Sequence, residues 1–416
     1  MEIYNRTVLE KIRQNMETRK IQILFGTRQV GKTTILKLIE TEIRNKGEQV
    51  LRLNLDLPEY FKVFNSYENV LKYLEISGFD LQKKIYLLLD EFQAMNGIGK
   101  LMKIIYDEYP MLKIIATGSS SLLINRHIKE GLTGRYFSSI VFHFSFLEFL
   151  QTKTDNTVYN MLKKNSYLAT GKSQDFLEEY LLFGGYPEVI LNADLETKLD
   201  LFSSIYTSYL QKDINFFIKY ENMPKFSSLV ELLADNIGSL ININNLSKTL
   251  GISYQTIENF IFTLENTFSI KLINPFYNNL SKEIKKMKKV YFYDLGLRNY
   301  VLNIRHLPAN SGSLAENFAF LEMSRNHDYN IKYWRTINGT EIDFILEKDQ
   351  KLIPVEVKYR ENLNVNIVPA NIKSFMESYN IEKAYIITKN QQNVLNYSSK
   401  KIIFLPIILS CNIDFD

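Results

Sequence analysis

The residues with the sharpest chemical signature are Gly26, Gly31, Lys32 and Thr33, which stand at the spacing G-x-x-x-x-G-K-[ST] within residues 21–34, IQILFGTRQVGKTT. An apolar run, Ile21–Phe25, leads into the first glycine, and residues 35–39 continue with helical periodicity. The spacing predicts a strand, a phosphate-binding loop and a helix. The two glycines let the backbone turn its N–H groups inward as a nest for a β-phosphate, and the helix start adds its positive dipole end. Lys32 brings a point charge to the β- and γ-phosphates, and the Thr33 hydroxyl is placed to ligate Mg²⁺. Thr27, Arg28, Gln29, Val30 and Thr34 complete the expected phosphate-contacting set. A tight glycine turn without a ligand is the alternative reading.

Carboxylates follow at useful places. Residues 84–91, KIYLLLDE, read as a strand buried on both faces, the pattern of a parallel sheet. Asp90 falls where an acid holds Mg²⁺, directly or through water. Glu91 is placed to polarise an attacking water as a general base. A solvated Asp-Glu pair at a strand end is common by itself, and the preceding phosphate loop is what gives this one meaning. Residues 111–116, MLKIIA, predict another buried strand that runs out into Thr117, Gly118 and Ser119. Ser119 is expected to touch a γ-phosphate or the attacking water, with a helix cap for Leu122 onward as the alternative. Arg135, in GLTGRY, is expected either to reach a γ-phosphate, within the chain or across a subunit boundary, or to form a structural salt bridge.

A second constellation lies near the C-terminus. Glu316 sits on an amphipathic helix over residues 313–325, and Asp343 on a strand over 341–346. Glu356 and Lys358 share a strand over 352–359 as E-V-K, so period-two alternation points both to one face. Glu316, Asp343 and Glu356 are candidates to hold Mg²⁺ with waters. The metal and Lys358 would then lower the pKa of a water that attacks a phosphodiester. E-x-K recurs by chance, and an ordinary surface strand of alternating charge is the alternative. The order α-β-β-β-α-β, completed by a helix over 372–379 and a strand over 383–388, favours a site.

The elements that must position these groups suggest two or three domains in 416 residues. Residues 1–150 predict an α/β domain with a parallel sheet, with helices over 7–19, 67–76 and 99–109 and a further strand over 49–55. Residues 151–224 predict a helical lid or connector, with a helix over 199–220, a turn at FGGYPE and no reactive constellation. Residues 225–304 predict a winged helix-turn-helix: helices over 225–238, 245–250 and 254–266, Asn244 or Asn245 and then Ser253 as caps, and strands over 270–277 and 290–293. The stretch SKEIKKMKK forms the expected hairpin tip, where Lys282, Lys285, Lys286, Lys288 and Lys289 can meet DNA phosphates. A wing that packs on protein is the alternative. The helix over 254–266 opens with Tyr254, Gln255, Thr256 and Asn259 and has no Arg or Lys there, which argues against sequence-specific readout. Residues 305–416 predict a small α/β domain, with one more strand over 402–408.

Composition adds bounds. A net charge of +4 permits nucleic-acid binding without arguing for it. The single cysteine, Cys411, forms no internal disulfide and fits a reducing cytoplasm as a small apolar filler. The N-terminus is charged and amphipathic, unlike a signal peptide. No apolar run reaches membrane-spanning length, so a cytoplasmic protein without a membrane partner is expected.

In sum these residues resemble a prokaryotic family of AAA-type ATPases whose members join a P-loop domain to a winged helix and a restriction-endonuclease-like C-terminal domain. The resemblance covers nearly the whole chain and is carried by GTRQVGKTT, YLLLDE, ATGSSS, LTGRY, FGGYP, KVYFYDLGL and EIDFIL followed by VEVK. The C-terminal part is similar to PD-(D/E)xK nucleases and resolvases: Asp343, Glu356 and Lys358 match that motif and Glu316 its helical acid. The resemblance implies ATP and Mg²⁺ as ligands, DNA as partner and a homo-oligomer as an option. It leads to the expectation of an ATP-hydrolysing, DNA-associated protein whose nucleotide state governs the winged-helix and nuclease-like module. The alternative is an ATP-driven switch or protein-binding scaffold with an inert nuclease fold.

Overall fold

A computed structural model describes residues 6–119, 131–154, 157–163, 173–215, 217–277, 286–325 and 329–415. The chain divides into two compact units. One comprises Met1–Phe142 with Ser208–Ile214 and Asn266–Phe268; the other holds His143–Thr207, Asn215–Glu265 and Ser269–Asp416.

The first unit is a three-layer α/β structure around five parallel strands: β1 (Ile21–Phe25), β2 (Gln49–Asn54), β3 (Ile85–Asp90), β4 (Leu112–Gly118) and β5 (Tyr136–Ile140). Their order is β2-β3-β4-β1-β5. β1, β3 and β4 are buried along their whole length, as predominantly apolar strands at the centre of a covered sheet are. Within them the polar Gln22 bonds to the Ile12 carbonyl, and Lys113 to the Asn15 and Thr18 carbonyls in the turn into β1. Because β4 lies between β1 and β3, its tip stands between the loop after β1 and the acids after β3. The register aligns Phe25 with Gly118 and Asn54 with Asp90, so these strands end at one edge. The connecting helices are α1 (Thr7–Gln14), α2 (Lys32–Asn45), α3 (Tyr67–Ile76) and α4 (Ile98–Glu108). α1 is shorter than the expected 7–19. Asn15 folds back, its side-chain amide on the Lys11 carbonyl and its backbone N–H on Ile12, and starts the turn into β1.

In the second unit, α5 (Phe146–Lys153), α6 (Thr157–Lys163), α7 (Gln174–Phe183), α8 (Pro187–Ile190) and α9 (Leu195–Ser208) come first. The helix expected over 199–220 stops at Ser208 and continues as a wider π-turn over Tyr209–Ile214. Next come α10 (Met223–Asp235), α11 (Ile243–Leu250) and α12 (Tyr254–Asn266), and an antiparallel hairpin of β6 (Ile270–Ile273) and β7 (Lys289–Phe292). Asn242, rather than Asn244 or Asn245, caps α11 through a bond from the Asn245 N–H at 3.1 Å; Ser253 accepts from the Thr256 N–H as expected.

After α13 (Leu295–Val301) and α14 (Gly312–Ser324), a six-stranded sheet closes the chain. Its strands are β8 (Asn330–Arg335), β9 (Glu341–Lys348), β10 (Lys351–Lys358), β11 (Lys383–Thr388), β12 (Asn393–Tyr397) and β13 (Lys400–Pro406), in the order β12-β13-β11-β10-β9-β8, with α15 (Ala370–Ser378) packed on it. The hairpin is joined to this sheet. The Phe276 N–H donates to the Tyr333 carbonyl at 2.5 Å, and the Tyr333 N–H donates to Asn274 at 3.1 Å. No helix among the described residues is long and apolar enough to cross a membrane.

Candidate functional site

The loop after β1 has the geometry its glycines foretell. At Gly26 a Cβ would stand 2.3 Å from the Val141 carbonyl oxygen, so a side chain there would displace backbone. Gly31 holds the left-handed conformation that opens α2, with φ at 92°. Lys32 is buried, and its ammonium donates to the Gly26 carbonyl at 2.9 Å and the Thr27 carbonyl at 2.6 Å. Burial lowers its pKa, and the nearby charges of Glu91 and Asp213 oppose that shift. An anion beside it would favour the charged form further.

At the edge of the sheet, Thr33 Oγ1 donates to Asp90 Oδ2 at 2.6 Å. The other Asp90 oxygen accepts from Thr117 at the tip of β4, and Thr117 Oγ1 in turn accepts from the Glu91 N–H at 3.3 Å. Glu91 has a left-handed backbone, φ 52°, which turns its side chain out of the strand line. Its carboxylate accepts from Gln93, whose amide also reaches Ser119 Oγ at 3.3 Å. Ser119 Oγ donates to Asp213 at 3.2 Å, and Arg28 Nε lies 3.1 Å from both Asp213 oxygens. Thus Arg28, Thr33, Asp90, Glu91 and Ser119 lie in one hydrogen-bonded chain, and Lys32 lies near enough to feel the charges of Glu91, Asp213 and Asp90. Gln29, exposed with φ at 62°, Val30, fully buried, and Thr34, exposed, flank it.

Three contributors were not anticipated. Asp213 comes from the π-turn, inside a run whose helical period concealed it; burial raises its pKa against the pull of Arg28. Gln93 follows the Asp-Glu pair on a short turn. Arg6 donates to the Val30 carbonyl at 3.0 Å and the Phe142 carbonyl at 2.6 Å, bracing the loop from behind.

Arg135 is corrected for reach within the chain. Its carbonyl accepts from the Ile21 N–H at 2.9 Å, which places it where β1 begins, at the opposite sheet edge from the loop. Its guanidinium pairs with Asp107 at 2.8 Å, the structural salt bridge.

The residues fit a magnesium nucleotide. A backbone cradle is kept open by Gly26, a buried ammonium awaits an anion, and a hydroxyl and a carboxylate touch each other beside it.

The C-terminal constellation is built differently from the expectation. Glu356 pairs with Lys358, and burial, helped by the charge of Asp343, pushes its carboxyl up to about 7. Glu316 and Asp343 converge, with Glu341, on the ammonium of Lys289 at 3.2, 3.7 and 2.6 Å. Lys289 was expected on a solvated wing. It is instead 2 % exposed, because β7 turns it inward beneath the sheet carboxylates. Among the described residues no group of three or more acids, histidines or cysteines is arranged to hold a metal ion. Asp343 nevertheless lies near both other acids of the expected set: its charge acts on Glu316 and on Glu356, and it accepts from the Val357 N–H between Glu356 and Lys358. Lys286 is exposed and Lys288 half-buried; Lys282 and Lys285 lie outside the described residues.

The sheet order, the glycine loop and the Thr33–Asp90 pair define an AAA-type P-loop ATPase domain. Residues 18–150 match the family model described as an AAA domain. That fold supports ATP binding and hydrolysis. Residues 174–307 and 311–408 match two models described as "Domain of unknown function (DUF8612)" and "Domain of unknown function (DUF4143)". The chain is similar to an uncharacterized protein of Haemophilus influenzae, 27 % identical over 84 % of this chain and 85 % of the relative. An uncharacterized protein of Methanocaldococcus jannaschii is 25 % identical over 86 % and 78 %. Among solved structures, AMPPCP-bound DnaA from Aquifex aeolicus aligns with a TM-score of 0.28 at 13 % identity, over 63 % of this chain and 89 % of that one. A DNA polymerase III gamma subunit-related protein from Thermotoga maritima aligns with 0.26 at 13 %, over 62 % and 99 %. Scores this low leave the fold assignment to the family match, the sheet order and the loop.

Proposed function

We propose that the chain is a Mg²⁺-dependent, ATP-hydrolysing switch that acts through its second unit. The supporting observation is Lys32, a buried ammonium held by two loop carbonyls next to the Thr33–Asp90 pair. Lys32 and the loop backbone bind the β- and γ-phosphates. Thr33 and Asp90 are the residues that would hold Mg²⁺, which when bound neutralises charge on the phosphate oxygens. Glu91 accepts the proton of the attacking water, with Gln93 orienting its carboxylate. Ser119 and Arg28, tied together by Asp213, complete the polar wall. Lys32→Ala is expected to abolish ATP binding in calorimetry, and unaltered affinity would refute the assignment. Glu91→Gln is expected to bind ATP and turn it over at least about 100-fold more slowly.

Residues 223–292 support a winged-helix reading by their order of three helices and a hairpin, and Lys286 and Lys288 are the described lysines of the expected tip that solvent reaches. A specific observation favours the second reading, a switch or scaffold with an inert nuclease-like domain: two of the acids expected to hold a metal, Glu316 and Asp343, are tied to Lys289. Incubation with supercoiled and branched DNA separates the two. A gel shift weakened by Lys286→Glu with Lys288→Glu supports a DNA-bound switch. Cleavage lost in Asp343→Ala would restore the nuclease.

A further inference from the structure

A lysine among acids is unremarkable on a surface, where it is solvated and contributes little. Lys289 is a different case. It is 2 % exposed and takes three carboxylates, from Glu341 at 2.6 Å, Glu316 at 3.2 Å and Asp343 at 3.7 Å. Its ammonium occupies the point on which Glu316 of α14 and Glu341 and Asp343 of β9 converge.

The surroundings fix it there. Tyr291, two residues on and on the same face of β7, donates its hydroxyl to Glu316 at 2.6 Å. Asn317, fully buried beside Glu316 on α14, makes two 2.8 Å bonds to the Phe292 N–H and carbonyl and so clips β7 to the helix. On the other side Tyr333 of β8 donates its hydroxyl to the Met287 carbonyl at 2.5 Å. The carboxylate of Glu316 is covered by Gly238, where a Cβ would lie 3.1 Å from its oxygens, and the Gly238 N–H is itself bonded to Val290 of β7 at 2.8 Å. Asp343 spends its other oxygen on the Val357 N–H at 2.8 Å.

We propose that Lys289 is the resident cation of this carboxylate cluster and that it excludes a divalent metal from the nuclease-like domain. A metal ion and an ammonium cannot share one set of acids at this spacing. With Lys289 in place, admitting the metal means withdrawing β7, and with it the Asn317, Tyr291 and Tyr333 bonds. The cluster thereby becomes an internal ion cage that fastens the β6–β7 hairpin to the C-terminal sheet. Removing the positive charge should turn the cage into a cation site, because a neutral side chain no longer binds the three carboxylates and can swing aside for an ion that does. The proposal deepens the inert-nuclease reading, and it is tested without nucleotide, so its failure leaves the ATPase assignment untouched.

The test is Mn²⁺ binding to the full chain, followed by electron paramagnetic resonance and calorimetry in nucleotide-free buffer. Wild type and Asp343→Asn should bind Mn²⁺ alike, because the cluster is closed to it in both. Lys289→Met should gain about one Mn²⁺ per chain, at least about tenfold tighter than any wild-type binding, since the competing internal cation is gone. The double variant Lys289→Met/Asp343→Asn should lose that gain. Lys289→Gln serves as a second opening variant, with near-ultraviolet circular dichroism to show that the fold is retained. Wild-type Mn²⁺ binding that Asp343→Asn removes would overturn the proposal, and this arm needs no Lys289 variant to fold. So would a folded Lys289→Met or Lys289→Gln protein that gains no ion.

Discussion

Replacing Asp213 by Asn asks how much a residue from outside the α/β sequence contributes to the nucleotide site. The Asp213 side chain is 5 % exposed and the Arg28 side chain 26 %, with Nε 3.1 Å from both carboxylate oxygens, and Ser119 Oγ donates to the same group at 3.2 Å. Asn retains the shape and one acceptor but removes the charge. A charge-assisted hydrogen bond contributes about 1.5–3 kcal/mol, and the partial exposure of Arg28 places this one at about 1.5–2 kcal/mol. If that energy serves to hold Arg28 and Ser119 against the phosphates, kcat/KM for ATP falls about 10- to 30-fold. Arg28 belongs to the loop that binds the ground state, so most of the loss should appear in KM. Ser119 belongs to the hydrolytic side, and its share should appear in kcat. Phosphate-release kinetics measure both. The pH profile adds an independent check. Burial raises the pKa of Asp213 above the usual aspartate range, so the carboxyl neutralises as pH falls through that raised value. Wild-type kcat/KM should decline on that acid limb, and the Asn variant should lack it. An Asn variant whose kcat and KM both stay within about twofold of wild type, with the acid limb retained, would falsify the positioning role.

Two further predictions concern the frame around the site. Gly26→Ala should abolish ATP binding in calorimetry while the chain still folds, because its Cβ would meet the Val141 carbonyl at 2.3 Å and the loop has to shift by about 1 Å to relieve it. Asp294, buried and accepting from the Gly185 and Leu297 N–H groups at 2.8 Å, has its carboxyl pushed up by burial to about 7. The folded form thus holds a proton that the unfolded chain has released, so stability falls as pH rises from about 4 to about 7 and is flat above that. Asp294→Asn should flatten the pH 5–7.5 dependence of the urea midpoint, and an unchanged slope in the variant would exclude this origin.

The phosphate loop, the acids after β3 and the three central strands were legible because each is written locally: glycines at fixed spacing, and short, mostly apolar runs of the kind a covered parallel sheet uses. β5 was not, since YFSSI is an edge strand with one buried residue, Ser139, and carries no such run. Asp213 was hidden by continuity. The period of α9 runs on into the π-turn, and a bulged turn leaves no local signature. Lys289 was misplaced for the opposite reason. A lysine-rich run reads as a solvated tip, and its last member becomes internal only when β7 is set beside acids far along the chain. Charge that is compensated by distant residues is the kind of information a local pattern omits.

The bond network behind the phosphate loop carries a mechanical implication. Gly26 lies under the Val141 carbonyl, the Val141 N–H bonds to Phe25 at 2.6 Å, and one guanidinium, that of Arg6, grips both Val30 and Phe142. Phe142 is where the polypeptide leaves the first unit. A side chain forced in at Gly26 would therefore press on the same short run of backbone, Val141 and Phe142, that Arg6 ties to the loop.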